Sequence, residues 1–255
     1  MKSGFWIFML MLSIMLYSLT ITSCTDENPA VNPGTLAFHM HTLIDSTEVE
    51  NYGELLTRND GRRITVSTAQ MYISNIKLIK TDGHIVDAPS TILLINQGQE
   101  EYEIGNVPAG NYKTVRFDVG LSNATNASTP SASDLSLNQP SMWFGTTAQP
   151  DGFVFLNFQG TIDTSSAGNG TNLIPFIYKI GTNQHRVTVT LPDQNFTVAS
   201  DQLEVVHIEA NYAGLLDGLA LGVPANLRIT TLADNTWTWV TDFEGNIAAM
   251  FDYEE

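Results

Sequence analysis

The tripeptide His39-Met40-His41 is the stretch whose residue types and spacing most directly suggest chemistry. On a β-strand, positions i and i+2 point to the same face, so both imidazoles can converge on one atom. Imidazole suits copper, zinc and nickel, and the stability order of divalent ions favours copper. Two nitrogens do not make a tight site, so a third donor must come from elsewhere in the chain. The alternative is two solvent-facing histidines on the polar side of an alternating strand. Three further histidines are present, His84, His185 and His207. His84 follows Asp82-Gly83, a turn pair, and is expected to be exposed and without function. Other chemistry finds no support: the chain holds no Gly-x-Gly-x-x-Gly, Walker loop, Gly-x-Ser-x-Gly or His-Glu-x-x-His. Its carboxylates are scattered, and none pair in a way that suggests glycoside hydrolysis.

Composition narrows the choice further. The 255 residues carry 11 Lys+Arg against 27 Asp+Glu, a formal net charge of −16. Such a chain lacks the basic stripe that a nucleic-acid backbone requires, so no nucleic-acid partner is expected. Arg62-Arg63 is a small basic spot and reads as a solvated strand start. The single cysteine excludes an intramolecular disulfide, a zinc ribbon and an iron–sulfur site. At 43% apolar residues the chain can bury a good core.

The cysteine belongs to an address. Lys2 precedes an apolar run from Phe5 to Ile21, the pattern of a secretory signal. A transmembrane anchor is the alternative, although the run is short and no basic residues follow it. Ile21-Thr22-Ser23-Cys24 resembles the lipobox of bacterial lipoproteins, in which the cysteine becomes the acylated first residue. Residues 1–23 are therefore expected to be removed, Cys24 to carry lipid, and residues 24–34, with Pro29, Pro33 and Gly34, to form a tether. Asp26-Glu27 resembles the surface-export signal of Bacteroidetes lipoproteins, and a plain solvated linker is the alternative. The expectation is an outer-membrane lipoprotein, at the periplasmic face or the cell surface, that meets the membrane through its lipid.

The histidines need a scaffold, and from Thr35 onward the hydrophobic period is mostly two. Leu36, Phe38 and Met40 alternate with Ala37, His39 and His41. Further strand candidates are a run from Met71 to Ile79, then Thr91 to Asn96, Tyr112 to Gly120 and Phe153 to Phe158. Phe176 to Ile180, Arg186 to Leu191 and Val205 to Tyr212 complete the series. The only helix candidates are the stretch from Asp201 and the short end Asn246 to Phe251. Two long loops are expected, Ser122 to Met142, covering one end of the fold, and Thr164 to Asn172. Trp237 and Trp239 alternate like one face of a strand and are read as packing or as a ligand-facing pair. The pattern predicts an all-β fold, an antiparallel β-sandwich or Greek-key-like barrel with long loops, in a single domain over 35–255.

Several of these segments together resemble the MbnP-like family, copper-associated proteins named after MbnP of methanobactin operons. The resemblance is carried by Thr35-Leu36-Ala37-Phe38-His39-Met40-His41 and by Gln70-Met71-Tyr72-Ile73-Ser74-Asn75-Ile76-Lys77-Leu78. It continues through Val107-Pro108-Ala109-Gly110-Asn111-Tyr112, Val115-Arg116-Phe117-Asp118-Val119-Gly120-Leu121 and Gly152-Phe153-Val154-Phe155-Leu156-Asn157-Phe158-Gln159-Gly160. It is strongest over 35–212. The resemblance implies a secreted or lipid-anchored β-sandwich that binds copper, with His39 and His41 as ligands. In some members a tryptophan near the copper is oxidised to kynurenine by a partner dihaem peroxidase. That aromatic segment falls on Met142-Trp143-Phe144, which makes Trp143 a candidate oxidised or site-adjacent aromatic, the alternative being a loop or core residue. The family usually has Trp-x-Trp there, and this chain has one tryptophan. Where many members have Tyr-His-Ile-Gly, this chain has Tyr178-Lys179-Ile180-Gly181, and a protonated amine has no free lone pair. His207, on a later strand candidate, or His185 could supply the third ligand instead.

The residues thus point first to a non-catalytic copper-binding lipoprotein of the cell envelope, with His39, His41 and His207 as ligands. The competing reading is a surface β-sandwich that binds a carbohydrate or protein through Trp143 or the Trp237/Trp239 pair, with no metal.

Overall fold

Strict alternation at the start of the domain has a simple structural outcome. Leu36, Phe38 and Met40 are buried in the core, whereas His39 and His41 between and after them stay partly exposed. The computed structural model describes residues 32–145, 150–165, 168 and 172–254. The expected secretion signal 1–23, Cys24 and the tether up to residue 31 lie outside the described residues.

The described chain is all-β with few helical turns. Its first eight strands are β1 (Gly34–Ile44), β2 (Thr47–Glu48), β3 (Leu55–Thr57), β4 (Arg63–Lys80), β5 (Ile85–Asp87), β6 (Leu93–Ile95), β7 (Glu101–Val107) and β8 (Gly110–Val119). The remainder are β9 (Trp143–Gly145), β10 (Pro150–Asp163), β11 (Leu173–Gly181), β12 (Val187–Thr190), β13 (Phe196–Val198), β14 (Leu203–Asn211), β15 (Arg228–Ile229) and β16 (Phe251–Tyr253). Among the described residues no helix is long and apolar enough to cross a membrane.

Two sheets face each other across one main core. The smaller runs β16-β14-β1-β2, with β7 also paired to β1. The larger runs β12-β8-β4-β10-β11-β15, with the short strands β3, β5, β6, β9 and β13 along its members. Phe38, Met40, Val206 and Ile208 of the smaller sheet meet Ile73, Phe117, Phe158 and Tyr178 of the larger in that core. The expected sandwich is therefore present, with two departures from antiparallel order, a short parallel pairing of β11 with β15 (Ile177↔Arg228, Tyr178↔Ile229) and a long one in the smaller sheet. β1 and β14 pair in parallel from Thr35↔Leu203 to Leu43↔Asn211. Nothing local in either segment marks this, because the direction of pairing follows from how the chain returns after crossing the larger sheet.

Three further expectations change. The loop from Ser122 to Met142 covers the outward face of the larger sheet rather than an end of the sandwich. Its Leu137 and Met142 join Trp143, Tyr72 and Phe155 in a second core cluster, and Tyr72 sits between Met71 and Ile73 of the main core. The stretch after Asp201 is strand β14. Near the C-terminus the helix is Asp242–Ala249 (α1 here), one turn earlier than expected, with Phe251 already in β16. Phe243 and Ile247, four apart, bury one stripe of that helix, and Asp242 and Glu244 in its first turn suit the positive end of the helix dipole.

Close approach between strands also dictates one glycine. A side-chain carbon on Gly160 of β10 would lie 1.8 Å from the Thr65 carbonyl oxygen of β4, where the ladder shifts register.

A candidate metal centre on the smaller sheet

The outward face of β1 carries His39 and His41, two residues apart, and their ring centroids are 4.6 Å from each other. The third imidazole comes from the parallel neighbour. Register places His207 of β14 directly opposite His39, with ring centroids 4.9 Å apart. One ligand atom from each of the three histidines lies within 4.8 Å of the other two. His39 and His41 are mostly buried, with side chains 19% and 17% exposed, while His207 is half exposed at 50%. The floor of the site is thus shielded by the sheet and its rim is open to an arriving ion. Met40, between the two β1 ligands, belongs to the core on the opposite face, so its sulfur takes no part.

Several carboxylates surround the imidazoles, among them Glu209 of β14, the register partner of His41. Glu48 arrives through the tight turn after β1, which pairs it with Leu43, and its Oε1 is 2.6 Å from His41 Nδ1. Glu254 follows β16 and its Oε2 is 2.9 Å from His207 Nδ1 and 3.6 Å from His41 Nε2. Glu100 and Glu101, at the start of β7, approach His39 Nε2 and Nδ1 at 3.7 and 3.9 Å. Burial pushes the His41 pKa down, but the Glu48 hydrogen bond and the charges of Glu48, Glu254 and Glu100 together outweigh it and leave the pKa above the ordinary value of 6.5.

This donor set fits a transition-metal ion. An imidazole whose Nδ1–H donates to a carboxylate keeps its Nε2 lone pair free, oriented and more basic. Glu48 can impose that tautomer on His41 and Glu254 on His207. Three neutral nitrogens ringed by carboxylates would stabilise a cation far better than they would any anion.

Other residues singled out in the sequence fall elsewhere. His185 is buried, with Nδ1 3.0 Å from Glu244 Oε1 and Nε2 2.7 Å from the Asn235 carbonyl, so both nitrogens are engaged in holding α1 and its preceding loop. As a third ligand it is displaced by His207. Lys179 lies on β11 of the larger sheet, opposite Asn157, and burial pushes its pKa down. His84 is exposed in its turn. Trp143 is buried in the second cluster, its indole N–H donating to the Leu137 carbonyl at 2.9 Å, and no described contact joins it to the three imidazoles. Trp237 and Trp239 are not on a strand: Trp237 precedes a 3-10 turn that holds Trp239, with ring centroids 5.9 Å apart. Trp239 in turn packs on Phe243, and Trp237 remains 39% exposed. Arg62 does more than start a strand, since it donates to the carbonyls of Asp163 and Ser165.

Of the groups around the site, Glu48, Glu100, Glu101 and Glu254 were not legible as partners. Only Glu48 had a local signal, the turn at Asp45-Ser46 that folds β2 back onto β1.

Comparison with known proteins agrees with this architecture. The family model for MbnP matches residues 33–237. Among solved structures, MbnP from Methylosinus trichosporium aligns with a TM-score of 0.55 at 15% sequence identity, covering 76% of this chain and 84% of that chain. At that identity the likeness is one of fold. No curated protein sequence matches the chain.

Proposed function

The chain belongs to the MbnP family, and from that premise we propose that it is a copper-binding lipoprotein of the cell envelope that acts by binding rather than by catalysis. The observation that carries this reading is the triad itself. Three imidazoles from two parallel strands bring a ligand atom each within 4.8 Å of one another, and carboxylates stand ready to set their tautomers. His39, His41 and His207 are the proposed ligands, and Cys24 is the proposed point of lipid attachment to the outer membrane. In an oxidising envelope a thiol-free imidazole site is chemically apt, because imidazole accepts copper in both of its common oxidation states.

Copper held in this way does not draw on Trp143. A dihaem peroxidase partner, which the family resemblance suggests, would act on a residue that is buried in the second cluster, so the reading stands whether or not Trp143 is modified in the host.

The test is a competition titration of the purified protein with copper, against a His39→Ala/His41→Ala variant of unchanged fold. Tight one-to-one binding by the parent and its loss in the variant is the expected result. Equal, weak binding by both would remove the metal reading. Intact-mass analysis of the protein from its own host checks the anchor, the expected mass being that of a chain starting at an acylated Cys24.

A further inference from the structure

The outward face of the larger sheet, turned away from the three imidazoles, carries a second polar site. Ser74 of β4 and Thr188 of β12 flank Asp118 of β8 in register, one on each side. Period two sends Phe117 and Val119 into the main core and turns Asp118 outward, yet its side chain is only 7% exposed. It lies in the wall of a cavity of about 440 Å³ that Asn75, Ser90, Ile92, Ser122 and Arg186 also line. A buried carboxylate must be held by donors. Thr188 donates to its Oδ1 at 2.7 Å, Asn75 donates to its Oδ2 at 3.1 Å, and Arg186 Nε stands 3.7 Å from Oδ2.

Asn75 reaches the cavity through a defect in the ladder. The pairing of β4 with β8 shifts register between Ser74 and Lys77, and Asn75 sits in that bulge with φ 52°. A bulge re-aims one side chain out of the strand pattern. Glycine would take a left-handed position at no steric cost, whereas asparagine brings an amide, and its Nδ2 is the group on Asp118. The constellation is also left with capacity to spare. Each Asp118 oxygen keeps a second acceptor position, and no hydrogen bond among the described residues engages the Arg186 guanidinium, which is 36% exposed.

We infer that this cavity binds a neutral polyhydroxylated ligand, the ring of a saccharide, and that Asp118, Asn75 and Arg186 recognise it. An acceptor beside a fork of donors matches adjacent ring hydroxyls: one donates to Asp118 while its neighbour accepts from Arg186 or Asn75. A free anion would meet the buried carboxylate, and a metal cation would meet the guanidinium, so neither charge suits the pair. Ile92, packed on the second core cluster, offers the ring's C–H face an apolar wall. The volume falls in the range of about 300 to 1,000 Å³ usual for small-molecule sites, which join apolar lining to a few placed polar groups. The site calls on none of the three imidazoles and is independent of the copper reading.

The experiment titrates the purified protein with glucose, galactose, mannose, fucose and N-acetylglucosamine, followed by saturation-transfer and nitrogen–proton correlation NMR. Wild type is expected to bind at least one of these sugars at millimolar concentration, equally with and without a metal chelator. The amide signals of Asn75, Asp118 and Ser122 should shift, and those of His39 and His207 should stay in place. Asp118→Asn and Arg186→Gln should each weaken binding about tenfold or more, because a hydrogen bond to a charged group is lost. Asn75→Gly separates recognition from folding, since glycine accepts the backbone of the bulge: circular dichroism should be unchanged while affinity falls. His39→Ala/His41→Ala should bind the sugar as wild type does, so the copper reading can fail without this one. If Asp118→Asn does not fold, Arg186→Gln, at a more exposed side chain, decides. Binding of none of these sugars, or binding that survives Arg186→Gln and Asn75→Gly in folded protein, overturns the proposal.

Discussion

Glu48→Gln separates what the carboxylate does for the fold from what it does for the metal. The side chain is 44% exposed and its partner His41 only 17%, so the pair is screened on one side by water. A pair of that kind adds no more than about 1 kcal/mol to stability. As a group that orients and polarises a ligand, the same carboxylate should matter more: loss of such a partner typically weakens metal affinity about 10- to 100-fold, or roughly 1.4 to 2.8 kcal/mol. The two effects also depend on pH in opposite ways. The Glu48 contact is the largest influence raising the His41 pKa, against the larger downward push of burial. A histidine whose folded pKa exceeds its unfolded value lends stability that is full below about 6.5 and is lost as pH rises through the folded value. The stability gap between wild type and Glu48→Gln should therefore be widest in mild acid and close toward pH 8. The affinity gap should behave in reverse, because the proton that Glu48 helps His41 to hold competes with the ion only at low pH. Thermal denaturation without metal at pH 5.5 and 8.0, with Cu(II) competition titrations at both, measures the four quantities needed. An affinity loss under threefold at pH 8, or a stability gap that widens with pH, would refute the assignment of Glu48 as the partner that sets the His41 tautomer.

Replacing His185 by Ala should leave copper affinity unchanged and cost roughly 2 to 4 kcal/mol in urea unfolding, because a buried ring and two hydrogen bonds are lost. Trp143→Phe removes the bond to the Leu137 carbonyl and should cost about 1 to 3 kcal/mol, with copper affinity within twofold of wild type; a tenfold fall would place Trp143 at the site after all. Gly160→Ala should cost about 3 kcal/mol or prevent folding, seen as a lower urea midpoint, since the new carbon would overlap the Thr65 carbonyl, which is backbone and cannot swing aside, and would also press on the Phe176 ring. The Tyr102 phenol, pushed up to about 12 by burial against the opposing hydrogen bond at Asn96, should appear late in an ultraviolet alkaline titration, and stability should decline as pH rises from 10 toward that value.

What the sequence determined by itself was whatever a short stretch of chain can decide. The period-two alternation of Leu36, Phe38 and Met40 with His39 and His41 was enough to predict a strand and to put both imidazoles on its open face, because a pleated backbone leaves no other choice once one side is buried. The same logic gave the all-β class and the strands around Tyr112 and Phe153. It failed where pairing partners come from far along the chain. His207 is the third ligand expected from the sequence, with His185 as the alternative, but the sequence holds no reason of distance for that order; the parallel register of β14 against β1 brings the first to His39, and burial against Glu244 and the Asn235 carbonyl takes the second out of contention. Trp237 and Trp239 mimicked a strand face because a turn also repeats on a short period. Glu254 could not be read at all, for its role depends on β16 adding to the edge of β14 and ending where two imidazoles from different strands meet. Local periodicity decides which way a side chain faces; only the packing of distant strands decides what it faces.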